Sequence, residues 1–182
     1  EAIQVMGELA ETYGYKDGGE MLAVADTEEA WIFEMIGPGP LWTQGDDAPG
    51  AFWVAQRIPD GCIGGSANAP MIDVFDPEDT ENFMCAPGIK EYAIEQGWYD
   101  PASGEEFSWR EHFMNVNKPE TSGRRVWRVF TLAAPSLVGE IDEADLPVYV
   151  KPDQKLSIDD INAIQRDHYE DTEFDGRNSI TA

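Results

Sequence analysis

Four short apolar runs crowd into residues 21–67, and their spacing leaves few ways to fold the first part of the chain. Residues 21–25 and 30–36 are separated only by the polar stretch 26–29, the connection expected of a hairpin. Residues 51–58 and 62–67 flank Pro59-Asp60-Gly61, a second turn signal. Between the two pairs, residues 37–50 are dense in Gly, Pro and Asp and read as a loop. The pattern predicts a four-stranded antiparallel meander over residues 21–67. Ahead of it, Ile3, Met6, Leu9, Ala10 and Tyr13 recur at helical spacing and predict an amphipathic helix ending near Gly14.

The rest of the chain reads as mainly helical. A helix over 87–97 would carry Ile89, Tyr92, Ala93 and Gln96 on one side. A second, capped by Ser103 or Ser108, would run through His112, and Ser108 with Glu111 has capping-box spacing. Residues 123–134, with Val126, Val129, Phe130 and Leu132, suggest a third. Ser157 with Asp160 caps a fourth that would turn Ile158, Ile161, Ile164 and Tyr169 toward a core. Strands first and helices after indicate α+β rather than alternating βαβ units. The chain divides into residues 1–75, a helix plus antiparallel strands, and residues 76–182, mainly helical. It opens at Glu1 inside the first helix and ends in polar residues, so an internal piece of a longer polypeptide is expected.

Charge narrows the function classes. With 12 Lys and Arg against 36 Asp and Glu, the net charge is -24, which repels nucleic-acid phosphates and anionic lipid. No apolar run approaches the roughly 20 residues of a membrane helix. Two cysteines, Cys62 and Cys85, are too few for a disulfide scaffold, and a cytoplasmic location is favoured over a secreted one.

Several residues are candidates for chemistry. His112 and His168 lack companions at ligand spacing, and the cluster Asp167-His168-Tyr169-Glu170-Asp171 lacks the oxygen pattern of a calcium loop, so no metal is expected. Cys62 and Cys85 have no neighbouring base and read as small buried hydrophobes. Glu34 lies inside an apolar strand on the face of Ile32 and Ile36; a buried functional acid would look like this, but an edge residue facing solvent is the preferred reading. Arg57 ends the strand bearing Phe52, Trp53, Val54 and Ala55. It can fork onto a substrate carboxylate or support the turn by pairing with Asp60. Asn68 follows a Gly-rich strand and precedes Ala69-Pro70, a stiff frame for an amide donor aimed at an oxyanion; spacing alone favours an ordinary Asx turn.

A longer comparison changes that balance. Gly19-Glu20-Met21-Leu22-Ala23-Val24-Ala25-Asp26 with Glu29-Ala30-Trp31-Ile32-Phe33-Glu34 resembles the N-terminal-nucleophile cysteine dipeptidases of bacteria, the dipeptidase A type. So do the segment from Gly50-Ala51-Phe52-Trp53 through Arg57-Ile58-Pro59-Asp60-Gly61 and the tripeptide Ser66-Ala67-Asn68. Arg125-Val126-Trp127, Val150-Lys151-Pro152-Asp153 and Asp167-His168-Tyr169-Glu170-x-Thr172-x-Phe174-Asp175 follow in the family's order.

The resemblance implies an αββα sandwich and a self-processed N-terminal Cys that attacks the amide, with its own α-amino group as general base. It implies dipeptide or small-amide substrates and neither metal nor other cofactor. Bile-salt hydrolases and penicillin acylases, more distantly similar, have an Asn-x-Pro segment whose Asn is an oxyanion donor. Asn68-Ala69-Pro70 is similar to it, and Arg125 is similar to their later catalytic Arg. Two departures stand out. Neither Cys62 nor Cys85 matches the nucleophile, which is expected upstream, so this chain alone is expected to be inactive. Asn68-Ala69-Pro70-Met71 also stands where dipeptidases often have Asn-Gln followed by Arg, which bears on the preferred amide. The alternatives are a hydrolase of N-acyl conjugates and a non-catalytic acidic binding module. Besides substrate, the expected partners are the rest of the parent polypeptide and, through open sheet edges, a second copy in a homo-oligomer.

Overall fold

The structure, a computed structural model, describes residues 1–114 and 119–176. Helix α1, Ala2–Tyr13, ends at Gly14, whose φ of 83° admits a residue without Cβ and whose N–H caps Ala10 C=O. Strands β1 (Glu20–Ala25), β2 (Ala30–Ile36) and β3 (Phe52–Ile58) form the expected antiparallel meander, with Glu20 opposite Met35 and Ile36 opposite Phe52.

The fourth run departs from expectation. Only Ile63–Gly64 is strand (β4), and it pairs with β6, Tyr149–Val150, in a separate two-stranded ladder. The free edge of β3 is taken by β5, Phe83–Cys85, so the main sheet runs β1-β2-β3-β5. Ala86 N–H to Trp53 C=O and Arg57 N–H to Asn82 C=O extend that pairing at both ends. With its edge claimed, β3 has no ladder left for residues 62–67. Gly64 instead crosses close over Ile58 and Ile32, where a Cβ would come within 2.8 Å of the Ile58 side chain.

The second half holds helices α2 (Ile89–Glu95), α3 (Arg124–Ala133) and α4 (Ile158–Gln165), with π-helical turns at Arg110–Met114 and Pro119–Gly123. Ser108 caps the first of these turns by accepting the Glu111 N–H at 3.1 Å. Its own N–H points to Nδ1 of His112 rather than to a Glu111 carboxylate. Ser157 and Asp160 close the predicted capping box on α4. None of the α4 side chains is buried, and Ile158 is outside the core.

Both faces of β2 and β3 are covered, whereas the edge strand β1 is largely exposed. On one, Trp31, Phe33, Trp53 and Ala55 pack under Ile3 of α1, with the Phe33 and Trp53 rings stacked at 5.4 Å. The face α1 turns inward matches the predicted stripe only in part: Ile3 is buried and Met6 packs against its cluster, Gly7 is buried beside them, and Leu9 and Tyr13 are exposed. The helix comes closest to the sheet at Gly7, directly against the Trp53 indole, and that contact rotates Leu9 and Tyr13 away. On the other face, Ile32, Phe52 and Val54 meet Ile72, Ile89, Trp109 and Phe113. A third cluster joins Met71, Val126, Phe130, Leu146 and Val150 and docks α3 beside the segment that follows β4. The chain is therefore mixed α and β, built on an antiparallel sheet.

Candidate active site

Asn68 lies in the bend that follows β4, with φ of 58°, a left-handed conformation that asparagine tolerates better than most residues with a Cβ. Pro70 follows and is buried, so the tripeptide is a short rigid shelf. The shelf separates two cavities. One, of about 310 Å³, is lined by Asn68, Tyr15, Gly19, Met21 and Met114. The other, of about 570 Å³, lies behind Pro70 and is lined by Met71, Arg110, Ser122 and Val126. The smaller volume is at the lower end of the roughly 300–1,000 Å³ of ligand pockets. Its wall at Tyr15 is set by the backbone: Gly37 backs onto the Tyr15 carbonyl so closely that a Cβ there would be 1.8 Å away. The Tyr15 hydroxyl donates to Gly19 C=O at 3.2 Å.

Arg125, on the first turn of α3, reaches this shelf. One arm donates to Asn68 Oδ1 at 3.0 Å, and the other donates to Ala67 C=O at 2.8 Å. Its Nε turns back to Thr121 C=O at 3.3 Å. Because a guanidinium only donates, the Asn68 oxygen must face it and the Nδ2 amide must point away. Among the described residues Nδ2 has no acceptor. Ser122 Oγ donates to the Asn68 carbonyl at 3.4 Å and secures the backbone.

The three arginines of α3 differ in their charge partners. Arg124 faces Glu143 at 3.2 Å and lies over the Phe174 ring at 3.7 Å. Arg128 forks onto Asp167 at 2.7 and 2.6 Å. Arg125 makes no ion pair among the described residues, so its positive charge remains beside the Asn68 amide. A free N–H donor next to an uncompensated cation can stabilise negative charge developing on a carbonyl oxygen.

Beneath the shelf lies Glu34, which is fully buried. Its Oε1 accepts the backbone N–H of Met71 at 2.6 Å and of Ile72 at 3.4 Å, and its Oε2 accepts the indole N–H of Trp109 at 2.9 Å. This corrects the solvent-facing reading. The position lies in β2, a central strand covered on both faces, where no edge exists. Burial pushes its carboxyl up to about 7, against the opposing effect of those hydrogen bonds and of Arg110. An unbroken apolar run on both sides of a carboxylate was the available signal, since a strand with one wet face alternates.

The other candidates lie elsewhere. Arg57 faces Glu29 at 3.8 Å and Asp60 at 3.5 Å, and it lines neither cavity beside the shelf. Cys62 and Cys85 are free, partly buried thiols away from Asn68, and burial pushes the Cys85 thiol up. His112 packs between Tyr99 and Phe107, and His168 pairs with Glu170 on the surface. Among the described residues no three His, Cys, Asp or Glu side chains gather where they could hold a metal, and no helix is long and apolar enough to cross a membrane.

Comparison with known proteins fits a peptidase. The family described as Peptidase family C69 matches residues 1–182. A probable dipeptidase of Latilactobacillus sakei is 29% identical over 177 residues, covering 96% of this chain and 34% of that protein. A probable dipeptidase of Salmonella dublin is 29% identical over 178 residues, covering 96% of this chain and 38% of that protein. Dipeptidase A of Lactobacillus helveticus is 29% identical over 178 residues, covering 96% and 34%. The chain thus spans about a third of the length of the curated relatives it matches.

Proposed function

The chain belongs to peptidase family C69, and from that premise we propose that it is the oxyanion-binding part of a cysteine dipeptidase with an N-terminal nucleophile and a sandwich fold of the αββα type. In this reading the nucleophile comes from polypeptide outside these 182 residues, since neither Cys62 nor Cys85 lines the Asn68 cavity. The Cys thiolate attacks the dipeptide carbonyl carbon, and the carbonyl electron pair moves onto oxygen. Asn68 Nδ2 donates to that oxyanion. Collapse re-forms the carbonyl and breaks the C–N bond, with the Cys α-amino group returning its proton to the leaving amine. Water then cleaves the thioester and releases the second amino acid. Arg125 holds the amide of Asn68 and adds positive charge.

The observation that carries this reading is the Arg125 to Asn68 bond, because it leaves an amide N–H at a cavity wall without an acceptor among the described residues. Donors without a nucleophile supply only part of catalysis, so the 182-residue chain by itself is inactive.

The test is amino-acid release from a panel of dipeptides by a polypeptide of the relatives' length, beside its Asn68→Ala variant. A loss of roughly 100-fold or more in the variant is expected for one oxyanion donor. Full activity in the variant would remove Asn68 from the site and keep the dipeptidase. No release from any dipeptide would favour an N-acyl amide substrate or a binding module, though a chain of net charge -24 is a poor match for an anionic conjugate.

A further inference from the structure

Glu34 is the one fully buried carboxylate among the described core residues that meets two separate chain segments at once. One is 70–73, which continues directly from Asn68-Ala69-Pro70. The other is the entry to the π-helical turn at Trp109. The two are also stitched to each other, for Trp109 N–H donates to Asp73 C=O at 3.0 Å, Ser108 Oγ donates to Asp73 Oδ1, and Arg110 pairs with Asp73 at 2.8 Å. Three N–H donors converge on two carboxylate oxygens, and none of them has a second acceptor there.

We propose that Glu34 is a positioning residue for Asn68, holding the Met71 and Ile72 amides so that the shelf presents the Asn68 side chain at the angle Arg125 requires. This rests on the reading of Asn68 as the oxyanion donor for its catalytic meaning, but the mechanical link stands on geometry alone.

The link depends on ionisation. A carboxylate accepts at both oxygens; a carboxyl group must place its own proton, and every neighbour here already donates. Protonation therefore loosens either the Trp109 bond or the bonds to 71–72. The charged groups that face Glu34 are few. Across the ladder on β1 and β3 it meets Met21 and Val54, which do not titrate. From the segments above it Arg110 contributes positive charge, itself paired to Asp73 and, at 3.6 Å, to Asp145. His112, whose Nδ1 accepts the Ser108 N–H, is the nearby imidazole, and its ring resonances are followed separately.

The experiment is a pH titration of the ¹⁵N-labelled 182-residue chain, following the Trp109 indole, the Met71 amide and the Asn68 side-chain amide. All three are expected to move together with one midpoint near 7. In Glu34→Gln the common transition should vanish. The wild-type titration decides the matter even if that variant does not fold, and Glu34→Asp should then shift the midpoint while keeping the charge. An Asn68 amide that stays still while Trp109 and Met71 titrate overturns the proposal. So does an Asn68 transition that follows His112, or one that survives in Glu34→Gln. Because no step requires turnover, an inactive polypeptide of the relatives' length would sink the dipeptidase reading and leave this result intact.

Discussion

Arg125 donates to the side-chain oxygen of Asn68 at 3.0 Å across 57 residues of chain, and that single bond decides which end of the amide faces the cavity. If the bond is what makes Asn68 a donor, the two residues act as a unit. In a polypeptide of the relatives' length, Arg125→Met should lower kcat/KM by about 10- to 100-fold, approaching the loss in Asn68→Ala. The double variant should be little worse than the worse single one. Arg125→Lys, which cannot hold Asn68 and Ala67 with one planar fork, should lie between. Multiplicative losses would show the residues to be independent.

Gly7 fixes how closely α1 can lie on the sheet. A Cβ at that position would be 2.2 Å from Cε2 of Trp53, whose indole N–H donates to Glu11 Oε1 at 2.7 Å. Gly7→Ala gains about 1 kcal/mol of helix propensity but must push the helix off a buried ring. The net effect should be destabilising by about 1–3 kcal/mol, read as a lower urea midpoint and a red-shifted tryptophan emission. A more stable variant would mean that α1 does not rest on Trp53.

Much of this architecture is written in local pattern, and what is not depends on distant partners. The hairpin at 20–36 and the Ser157 cap follow from neighbours in sequence, so two apolar runs across a short polar connection and capping chemistry expose them. The pairing of β4 with Val150 does not, because Ile63 alone says nothing of which edge is vacant. β5 was illegible for the same reason: three residues show no period, and only the open edge of β3 makes them a strand. In the site, Asn68 and Arg125 come from resemblance to a family, whereas their hydrogen bond spans two halves of the chain. Glu34 was misjudged because strand alternation presumes one wet face, and β2 has none.

Residues 167–176 have little regular structure and are fastened through Arg128. Its guanidinium grips both Asp167 oxygens and also donates to Glu170 C=O at 2.8 Å. That contact, the Arg128 hydrogen bond first, holds the Asp167 carboxyl below its ordinary value. The stabilisation is therefore present above the unfolded-state value and is lost as pH falls through the folded one. Arg128→Leu should cost about 2 kcal/mol, between exposed and fully buried pairs, and should raise hydrogen exchange across 167–175. Unchanged protection there would show that other contacts hold the segment.

Glu34 makes the opposite contribution, and its sign can be read directly from stability against pH. Its carboxyl rises from 4.5 to about 7 because burial penalises the charge more than its hydrogen bonds repay. Between those two values the folded chain keeps a proton that the unfolded chain has released. Unfolding then releases protons, so stability must fall as pH climbs through this window and level off above it. The span corresponds to roughly 3 kcal/mol. Carboxylates such as Asp160 and Asp167, which are held below their ordinary values, act at lower pH and in the other direction. Repulsion among the many acidic groups also lowers stability with rising pH, so the difference between wild type and Glu34→Gln is the informative quantity. Urea midpoints measured from pH 4.5 to 8 should converge toward alkaline pH, with the wild type losing its advantage as Glu34 ionises. Glutamine cannot ionise, but it sets an NH₂ group against the Trp109 indole or the 71–72 amides, so the variant should start less stable in acid. Curves that run parallel across the window would mean that Glu34 titrates alike in the folded and unfolded chains, and the buried carboxylate would lose its part in the pH response.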